Sequence, residues 1–291
     1  MVSSQRQKSS VEVRSLRRKP SIFQKVPVFP LLVILLVLVI PALFAEFIAP
    51  RDPFQGSLSL RLRPPSSEHW FGTDAQGRDI LSRVIFGARV SAIVAAAGIF
   101  IGGAVGVTLG LLAGYFGGWA DGIISRMAEV TMSVPIILVA IVLATAIGAS
   151  FASVVIIVAL YLWSVYARQT RAETLKWRES LFVKRARVVG CSNARILFRH
   201  ILPNMVNTLI VLVTLQVGFV IVFEASLSFV GVGIPRPNPA WGLMVSEGRD
   251  FVLTAWWVPF FPGAAIVLTV LAFNLLGDWL RDQLDPRLRQ V

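Results

Sequence analysis

The stretch ARVVGCSNARILFRHILPN, residues 186–204, is basic, amphipathic and interrupted by Gly190. After this glycine, four apolar residues recur at the helical spacing i, i+3, i+4 and i+7: Ala194, Leu197, Phe198 and Ile201. A matching set precedes it: Phe182, Ala186 and Val189. Ser192 is placed to cap the second helix and Pro203 to end it. The stretch therefore predicts a hairpin of two short helices joined by a glycine turn.

The sequence on both sides of this hairpin is strongly apolar. The chain has 291 residues, of which 55% are hydrophobic and 15% are charged, and its mean hydropathy is +0.72. A helix that crosses a bilayer needs about 20 largely apolar residues. Six stretches qualify: 27–47, 91–115, 130–147, 152–166, 206–224 and 258–276. We therefore predict an all-α integral membrane protein with six transmembrane helices.

The basic residues predict how these spans are oriented. With six crossings, 20 of the 28 lysine and arginine residues fall on the side of the hairpin. Because cytoplasmic loops carry the excess of such residues, we expect both termini and the loop 168–204 in the cytoplasm. The loops 50–89 and 234–256 are expected outside. The basic segment 1–25 is expected to be a mobile cytoplasmic tail, and 26–291 the six-span domain. The net charge of +12 reflects this orientation and does not indicate nucleic-acid binding.

The sequence predicts no catalytic, cofactor or metal site. His69 and His200 fall on opposite sides of the membrane and cannot share a metal ion. No lysine follows a glycine, so the chain lacks the phosphate-binding loop of an ATPase, and another chain would have to hydrolyse any ATP. Cys191 is the only cysteine, which excludes an internal disulfide. A membrane-embedded hydrolase would need a nucleophile and a base within the spans, and the sequence shows no such pair.

The external stretch HWFGTDAQGRDILSR contains two carboxylates, Asp74 and Asp79, that general acid/base chemistry could use. Local structure explains them more simply. Thr73 with Gln76 fits a capping box. Asp79 with Arg83 fits an i, i+4 ion pair on a short helix. We expect a structural role for this stretch.

Basic residues surround the apolar stripes of the hairpin: Arg185, Arg187, Arg195 and Arg199. Three interpretations fit this pattern. The hairpin could be an amphipathic linker that lies on lipid headgroups. It could be a DNA-reading helix-turn-helix, although a membrane tether on both sides disfavours that function. It could also insert an apolar face into a groove on a cytosolic partner and transmit motion to the spans.

At this hairpin the sequence resembles a known family. Gly190, followed by nine residues and then HILP, is similar to the EAA motif, the cytoplasmic signature loop of the permease subunits of ATP-binding-cassette importers. The resemblance covers about residues 21–289 and points to the peptide and nickel branch, in particular the second permease of dipeptide and oligopeptide importers. Further segments match that branch in order: EHWFGTDAQGRDILSRVIFGARVS, GYFGGWADGIISRMAEV, EASLSFVGVGIPRPNPAWG and LGDWLRDQLDPRLR.

The resemblance implies a type I importer permease in a prokaryotic plasma (inner) membrane. Such a subunit pairs with a homologous second permease, two cytosolic P-loop ATPases that bind ATP and Mg²⁺, and an extracytoplasmic substrate-binding protein. The implied cargo is an oligopeptide or a dipeptide, with nickel and glutathione as alternatives. A secondary transporter without an ATPase is the alternative from another class, but it would leave the hairpin without a partner.

In this family the signature loop forms a coupling helix that docks in a cleft of the ATPase. By position, the implied coupling residues are Lys184, Arg185, Ala186, Arg187, Gly190, Ala194, Leu197, Phe198, His200, Leu202 and Pro203. Ala186 and Gly190 occupy the second alanine and the glycine of the motif. The chain departs from the motif at Lys184 and Arg185, where Glu-Ala is usual. We therefore expect the matched ATPase to present acidic residues there.

Two further sets of residues are assigned roles at the outer side. Three residues near the end of the fifth span are candidates for the substrate path: Glu224, Ser226 and Ser228. Glu224 is an ionisable residue in a membrane span, although a hydrogen-bonding role beside the stretch SLSF also fits. Three residues are candidates for contact with the binding protein: Asp74, Arg78 and Trp241. Glycines of the second span, spaced as at Gly102 and Gly106, predict close packing against another helix.

Overall fold

The computed structural model describes residues 26–284. The segments 1–25 and 285–291, and with them the predicted tail, lie outside the described residues. The helices are α1 (Val28–Ile48), α2 (Ile80–Phe116), α3 (Gly118–Ser133), α4 (Ile136–Ile147), α5 (Phe151–Arg178), α6 (Leu181–Val188), α7 (Asn193–Val230), α8 (Trp241–Gly248) and α9 (Trp257–Leu284). A π-helical turn interrupts α1 at Ile34–Val39 and α7 at Ile196–Ile201. Short 3-10 turns lie at Leu58–Leu60 and Arg249–Phe251.

Five of these helices are long and apolar enough to cross a membrane: α1, α2, α5, α7 and α9. Helices α3 and α4 are bent by 87° relative to each other and together would make a sixth span. The predicted all-α membrane fold is confirmed, but the third span is broken instead of continuous over 130–147. The break falls at Pro135, which has no N–H to donate and disfavours helical geometry at the residue before it. Val134 is accordingly extended, with φ −92° and ψ 129°.

The centre of the bundle is the contact between α2 and α5. Five glycines of α2 face α5: Gly98, Gly102, Gly106, Gly110 and Gly114. A Cβ atom at Gly102 would lie 2.8 Å from the Cβ of Leu162, and one at Gly106 would lie 2.6 Å from the Cβ of Tyr166. These distances are too short for carbon atoms in contact, so the backbones approach this closely only because the residues are glycines. The predicted close packing of the second span is confirmed.

The second helix of the hairpin does not end at Pro203, as the sequence predicts, but continues into the fifth span as the 38-residue helix α7. The π-helical turn lies just before the proline, and its N–H groups bond five residues back instead of four. The Asn204 side chain donates to the carbonyl of His200 at 2.6 Å, which satisfies a backbone acceptor next to the proline. The hairpin is therefore continuous with a long membrane helix.

Candidate functional site

The hairpin consists of α6, a turn and the first residues of α7. Gly190 in the turn has φ +80°, a conformation that favours glycine. Its N–H donates to the carbonyl of Arg187 at 3.0 Å and closes the turn. The Ser192 hydroxyl accepts a hydrogen bond from the N–H of Arg195 at 3.4 Å and caps α7. The predicted glycine turn and serine cap are confirmed.

One side of the hairpin is buried against the end of α2. Its buried residues are Val183, Ile196, Leu197 and Ile201. They pack in one cluster with Leu111 and Tyr115 of α2 and with Met205 of α7. The hairpin is thus held against the bundle and does not project as a loose loop.

The apolar stripes predicted for the hairpin are partly wrong. In the second stripe Leu197 and Ile201 are buried, whereas Phe198 is exposed. Three further predicted stripe residues are also exposed: Phe182, Val189 and Ala194. The cause in α7 is the π-helical turn, because its longer hydrogen-bonding step rotates residues away from the positions expected for α-helical spacing. Three other residues of the predicted coupling set are partly buried: Ala186, His200 and Leu202.

The tip of the hairpin, at Val188 and Val189, is apolar and exposed. These side chains are 89% and 82% exposed and lie directly before the glycine turn. The hairpin also carries four exposed arginines: Arg185, Arg187, Arg195 and Arg199. An exposed apolar tip on a basic hairpin is complementary to a groove with an apolar floor and an acidic rim.

Lys184 and Arg185 differ in their availability to a partner. The Nζ of Lys184 lies 3.2 Å from Oε2 of Glu179, and this hydrogen bond lowers the pKa of the Glu179 carboxyl from its ordinary value. The guanidinium of Arg185 has no ion-pair or hydrogen-bond partner among residues 26–284. Arg185, more than Lys184, is therefore free to meet an acidic group on another chain.

At the opposite end of the bundle, a buried cluster of charged side chains joins the loop before α2 to α8. Arg83 of α2 donates to Asp74 of the loop and to Glu247 of α8, the latter at 3.1 Å. Arg78 also donates to Asp74, at 2.7 Å. Because Arg83 is only 1% exposed, its charge is stabilised by these two carboxylates and not by water.

The predicted ion pair between Asp79 and Arg83 is wrong. Helix α2 begins directly after Asp79, which therefore acts as the N-cap and accepts from the N–H of Ser82 at 2.8 Å. Its other carboxylate oxygen lies 2.9 Å from Nδ1 of His69. The capping box predicted at Thr73 is also wrong, because that hydroxyl donates to a carbonyl of the preceding loop.

The three residues predicted to contact a binding protein are buried: Asp74, Arg78 and Trp241. The indole N–H of Trp241 donates to the carbonyl of Val84 at 2.8 Å. These side chains therefore support the segments at this end of the bundle from inside and do not present a surface to a partner. The exposed apolar side chains at this end include Trp70 and Leu253, the second of which is 98% exposed.

Two of the three residues predicted for the substrate path lie inside the bundle. Glu224 is 1% exposed and accepts a hydrogen bond from the hydroxyl of Ser228 at 2.8 Å. Ser226 is partly exposed, and its hydroxyl donates to the carbonyl of Val222 in the same helix. Glu224 and Ser228 do not line an open path within this chain, and the geometry fits the hydrogen-bonding role that the sequence also allowed.

Two clefts open towards the hairpin end of the bundle. One, of about 500 Å³, lies between α5, α7 and α9 and is lined by polar residues that include Lys176 and Arg281. The other, of about 420 Å³, lies between α3 and α5 beside Glu129 and Arg168. Among the described residues, no group of three or more histidine, cysteine or acidic side chains is arranged to hold a metal ion.

Residues 106–290 match the family described as the binding-protein-dependent transport system inner membrane component. The match covers more than half of the chain and includes the hairpin and the helices on both sides of it. The chain belongs to this family. It is a multi-pass transport component of a membrane and not an enzyme, and the predicted membership of the ATP-binding-cassette importer permeases, peptide and nickel branch, is confirmed.

Individual members of this permease family are similar along nearly all of the chain. A glutathione transport system permease protein from Pectobacterium atrosepticum is 44% identical over 255 residues, which is 87% of this chain and 85% of that protein. A dipeptide transport system permease protein from Alkalihalophilus pseudofirmus is 41% identical over 261 residues, 89% of this chain and 85% of that protein. A probable D,D-dipeptide transport system permease protein from Escherichia coli is 40% identical over 255 residues, 88% and 86% of the two chains.

Proposed function

We propose that this chain is one of two transmembrane permease subunits of an ATP-driven importer of short peptides in a prokaryotic plasma membrane. Its partners are a homologous second permease, two cytosolic ATPases that bind ATP and Mg²⁺, and an extracytoplasmic binding protein. The names of the similar permeases support this cargo, because they specify dipeptides, D,D-dipeptides and glutathione. Dipeptide or oligopeptide import is the function proposed, and glutathione is the alternative cargo.

The exposed tip of the hairpin carries this proposal. Val188 and Val189 lie side by side at the tip, and an apolar groove on a partner would bury them, which is favourable. The first arm of the hairpin follows α5 and the second arm is part of α7, so a force on the tip acts on two membrane helices. The free Arg185 beside the tip supports a partner surface with acidic residues.

The orientation is part of the same proposal. An ATPase in the cytosol can reach the hairpin only if both termini and the hairpin are cytoplasmic, which is the orientation that the excess of basic residues on that side supports. The loop before α2 and helix α8 would then face outwards, where a binding protein delivers the cargo.

The replacement Val189→Asp tests the proposal in the complete complex, produced with its own ATPases and second permease. Placing a carboxylate in an apolar groove without a partner is unfavourable, so we expect the ATPases to be lost from the complex that is purified through a tag on this chain. Leu253→Asp is the matched control, because it introduces the same charge at an equally exposed apolar position at the opposite end. Its complex should retain the ATPases. Retention of the ATPases by Val189→Asp would contradict the docking role.

A further inference from the structure

Tyr115 occupies the last turn of α2, at the point where α2 meets the hairpin. It is 6% exposed and lies in the same buried cluster as Val183 of α6 and Ile196 of α7. An aromatic residue in such a cluster would be explained by packing alone if it made no directed contacts. Its directed contacts, however, reach both arms of the hairpin.

The side chain of Tyr115 contacts one residue on each side of the glycine turn. Its hydroxyl donates to Oδ1 of Asn193, in the first turn of α7, at 2.9 Å. The guanidinium of Arg187, in α6, lies over the ring at 5.0 Å from the centroid, which is within the range of a cation–π interaction. One side chain of α2 therefore holds the arm before the turn and the arm after it.

The backbone at the same place is bound to the end of α5, just before the hairpin. The last carbonyl groups of a helix have no partner within that helix. Arg178, the final residue of α5, donates to the carbonyls of Gly114 and Tyr115 at 3.2 and 3.3 Å. A cation at the C-terminal end of a helix is favourable, because the helix dipole is negative there. The end of α2 is thus held by Arg178, Arg187 and Asn193.

These contacts connect α2 to the hairpin, from which it is separated in sequence by α3, α4 and α5. The hairpin is joined covalently to α5 and α7, whereas α2 contacts the hairpin itself through the cluster around Tyr115, in addition to its packing along α5. We propose that Tyr115 is a positioning residue that couples the docking hairpin to α2, so that α2, α5 and α7 respond together when the ATPases move the hairpin. This inference rests on the proposed function and names the contact that extends the motion to α2, a helix of 37 residues.

Two replacements test the role of the hydroxyl. Tyr115→Phe keeps the ring and its packing but removes the donor, and Asn193→Ala removes the acceptor. In the complete complex in liposomes, the measured quantities are the ratio of peptide-stimulated to basal ATP hydrolysis and the peptide transported per ATP. We expect the stimulation ratio to fall at least about threefold in each variant, as the loss of one hydrogen bond allows. The double variant should fall no further, because both changes remove the same bond.

Thr108→Val is the control for removing a hydroxyl from α2. The Thr108 hydroxyl donates to the carbonyl of Ala104 in its own helix and is exposed, so this variant should keep the stimulation ratio of the wild type. The thermal unfolding midpoint and the amount of bound ATPase are measured for every variant. If a lower unfolding midpoint or a loss of bound ATPase accounts for the lower stimulation ratio, the role of Tyr115 is purely structural and the inference is overturned.

The remaining outcomes separate this inference from the proposed function. Full stimulation in Tyr115→Phe, or an equal loss in Thr108→Val, overturns the coupling role of Tyr115 and leaves the permease function standing. A wild-type complex that carries no ATPase, or shows no stimulation by peptide, overturns the proposed function and this inference with it. One pattern supports both the proposed function and the coupling role of Tyr115. In it, Val189→Asp releases the ATPases, whereas Tyr115→Phe retains them but loses the stimulation of ATP hydrolysis by peptide.

Discussion

Glu247 accepts hydrogen bonds from three arginine side chains at the end of the bundle opposite the hairpin. The distances are 3.1 Å from Arg83, 2.6 Å from Arg236 and 3.4 Å from Arg78. Removing one partner of a buried ion pair typically costs about 3–5 kcal/mol, because the other charge remains buried without it. Since Arg83 keeps Asp74, we expect Glu247→Ala to destabilise the protein by about 3 kcal/mol, at the lower end of that range. The measurement is the thermal unfolding midpoint of the purified complex.

An exposed ion pair provides the comparison for this prediction. Glu129 lies 3.1 Å from Arg126, and both side chains are largely exposed. Exposed pairs contribute about 0–1 kcal/mol, so Glu129→Ala should leave the midpoint nearly unchanged. If the two replacements lowered the midpoint equally, burial of the Glu247 cluster would not be the source of its stabilising effect.

Individual residues were predictable from sequence where the cause is local. A glycine between two amphipathic segments and a serine before the second segment gave the turn at Gly190 and the cap at Ser192 correctly. The contact of Arg83 with Glu247 joins residues 164 positions apart, and no local pattern indicates it. The nearby Asp79 was assigned the wrong partner for the same reason, because its i, i+4 spacing to Arg83 was the only visible signal.

The seam between α2 and α5 gives a prediction for a whole element. A Cβ at Gly106 would lie 2.6 Å from the Cβ of Tyr166 and even closer to the carbonyl oxygen of Trp163, so Gly106→Ala must push the two helices apart. Overpacking of this kind costs about 1–3 kcal/mol, and we expect a lower unfolding midpoint and a lower yield of folded protein.

A second glycine replacement separates packing from helix propensity. A Cβ at Gly122, in α3, would meet no atom within 4 Å. Alanine is favoured over glycine in a helix by about 1 kcal/mol, so Gly122→Ala should preserve or slightly raise the midpoint. A loss of stability in Gly122→Ala as large as that in Gly106→Ala would contradict close packing as the reason for the glycines of α2.

Elements were predicted well in number and type and less well in continuity. Hydropathy identifies a span by its apolar length, and each predicted span corresponds to a helix or to the bent pair α3–α4. Two prolines show where continuity was predicted wrongly. Pro135 breaks a span that was predicted as continuous, whereas Pro203 is accommodated in a helix that was predicted to end there. Hydrogen bonding around each proline decides the outcome, and hydropathy does not report it.

The whole molecule buries its membrane helices unequally. Within the apolar window of each span, 61% of α5 is buried but only 22% of α7. Helix α5 is therefore the centre of the bundle, whereas α7 leaves most of its surface to lipid or to another subunit. This exposure fits a chain that forms half of a translocation pathway.

The coupling role depends on the orientation of the whole molecule in the membrane. Cys191 provides a direct probe of that orientation. It is the only cysteine in the chain and lies, partly exposed, beside the glycine turn of the hairpin. If the basic residues place the hairpin in the cytoplasm, a membrane-impermeant maleimide should label Cys191 in inside-out vesicles and not in spheroplasts.

The opposite pattern is expected from a cysteine at the other end of the bundle. The double replacement Cys191→Ser and Leu253→Cys moves the thiol to a side chain that is 98% exposed in the segment before α9. This protein should be labelled in spheroplasts and not in inside-out vesicles, and Cys191→Ser alone should not be labelled in either. Labelling of Cys191 from outside would invert the topology and place the hairpin beyond the reach of a cytosolic ATPase. The docking role would then fail together with the orientation. The 20 basic residues support a cytoplasmic hairpin, and the hairpin must be cytoplasmic to bind a cytosolic ATPase.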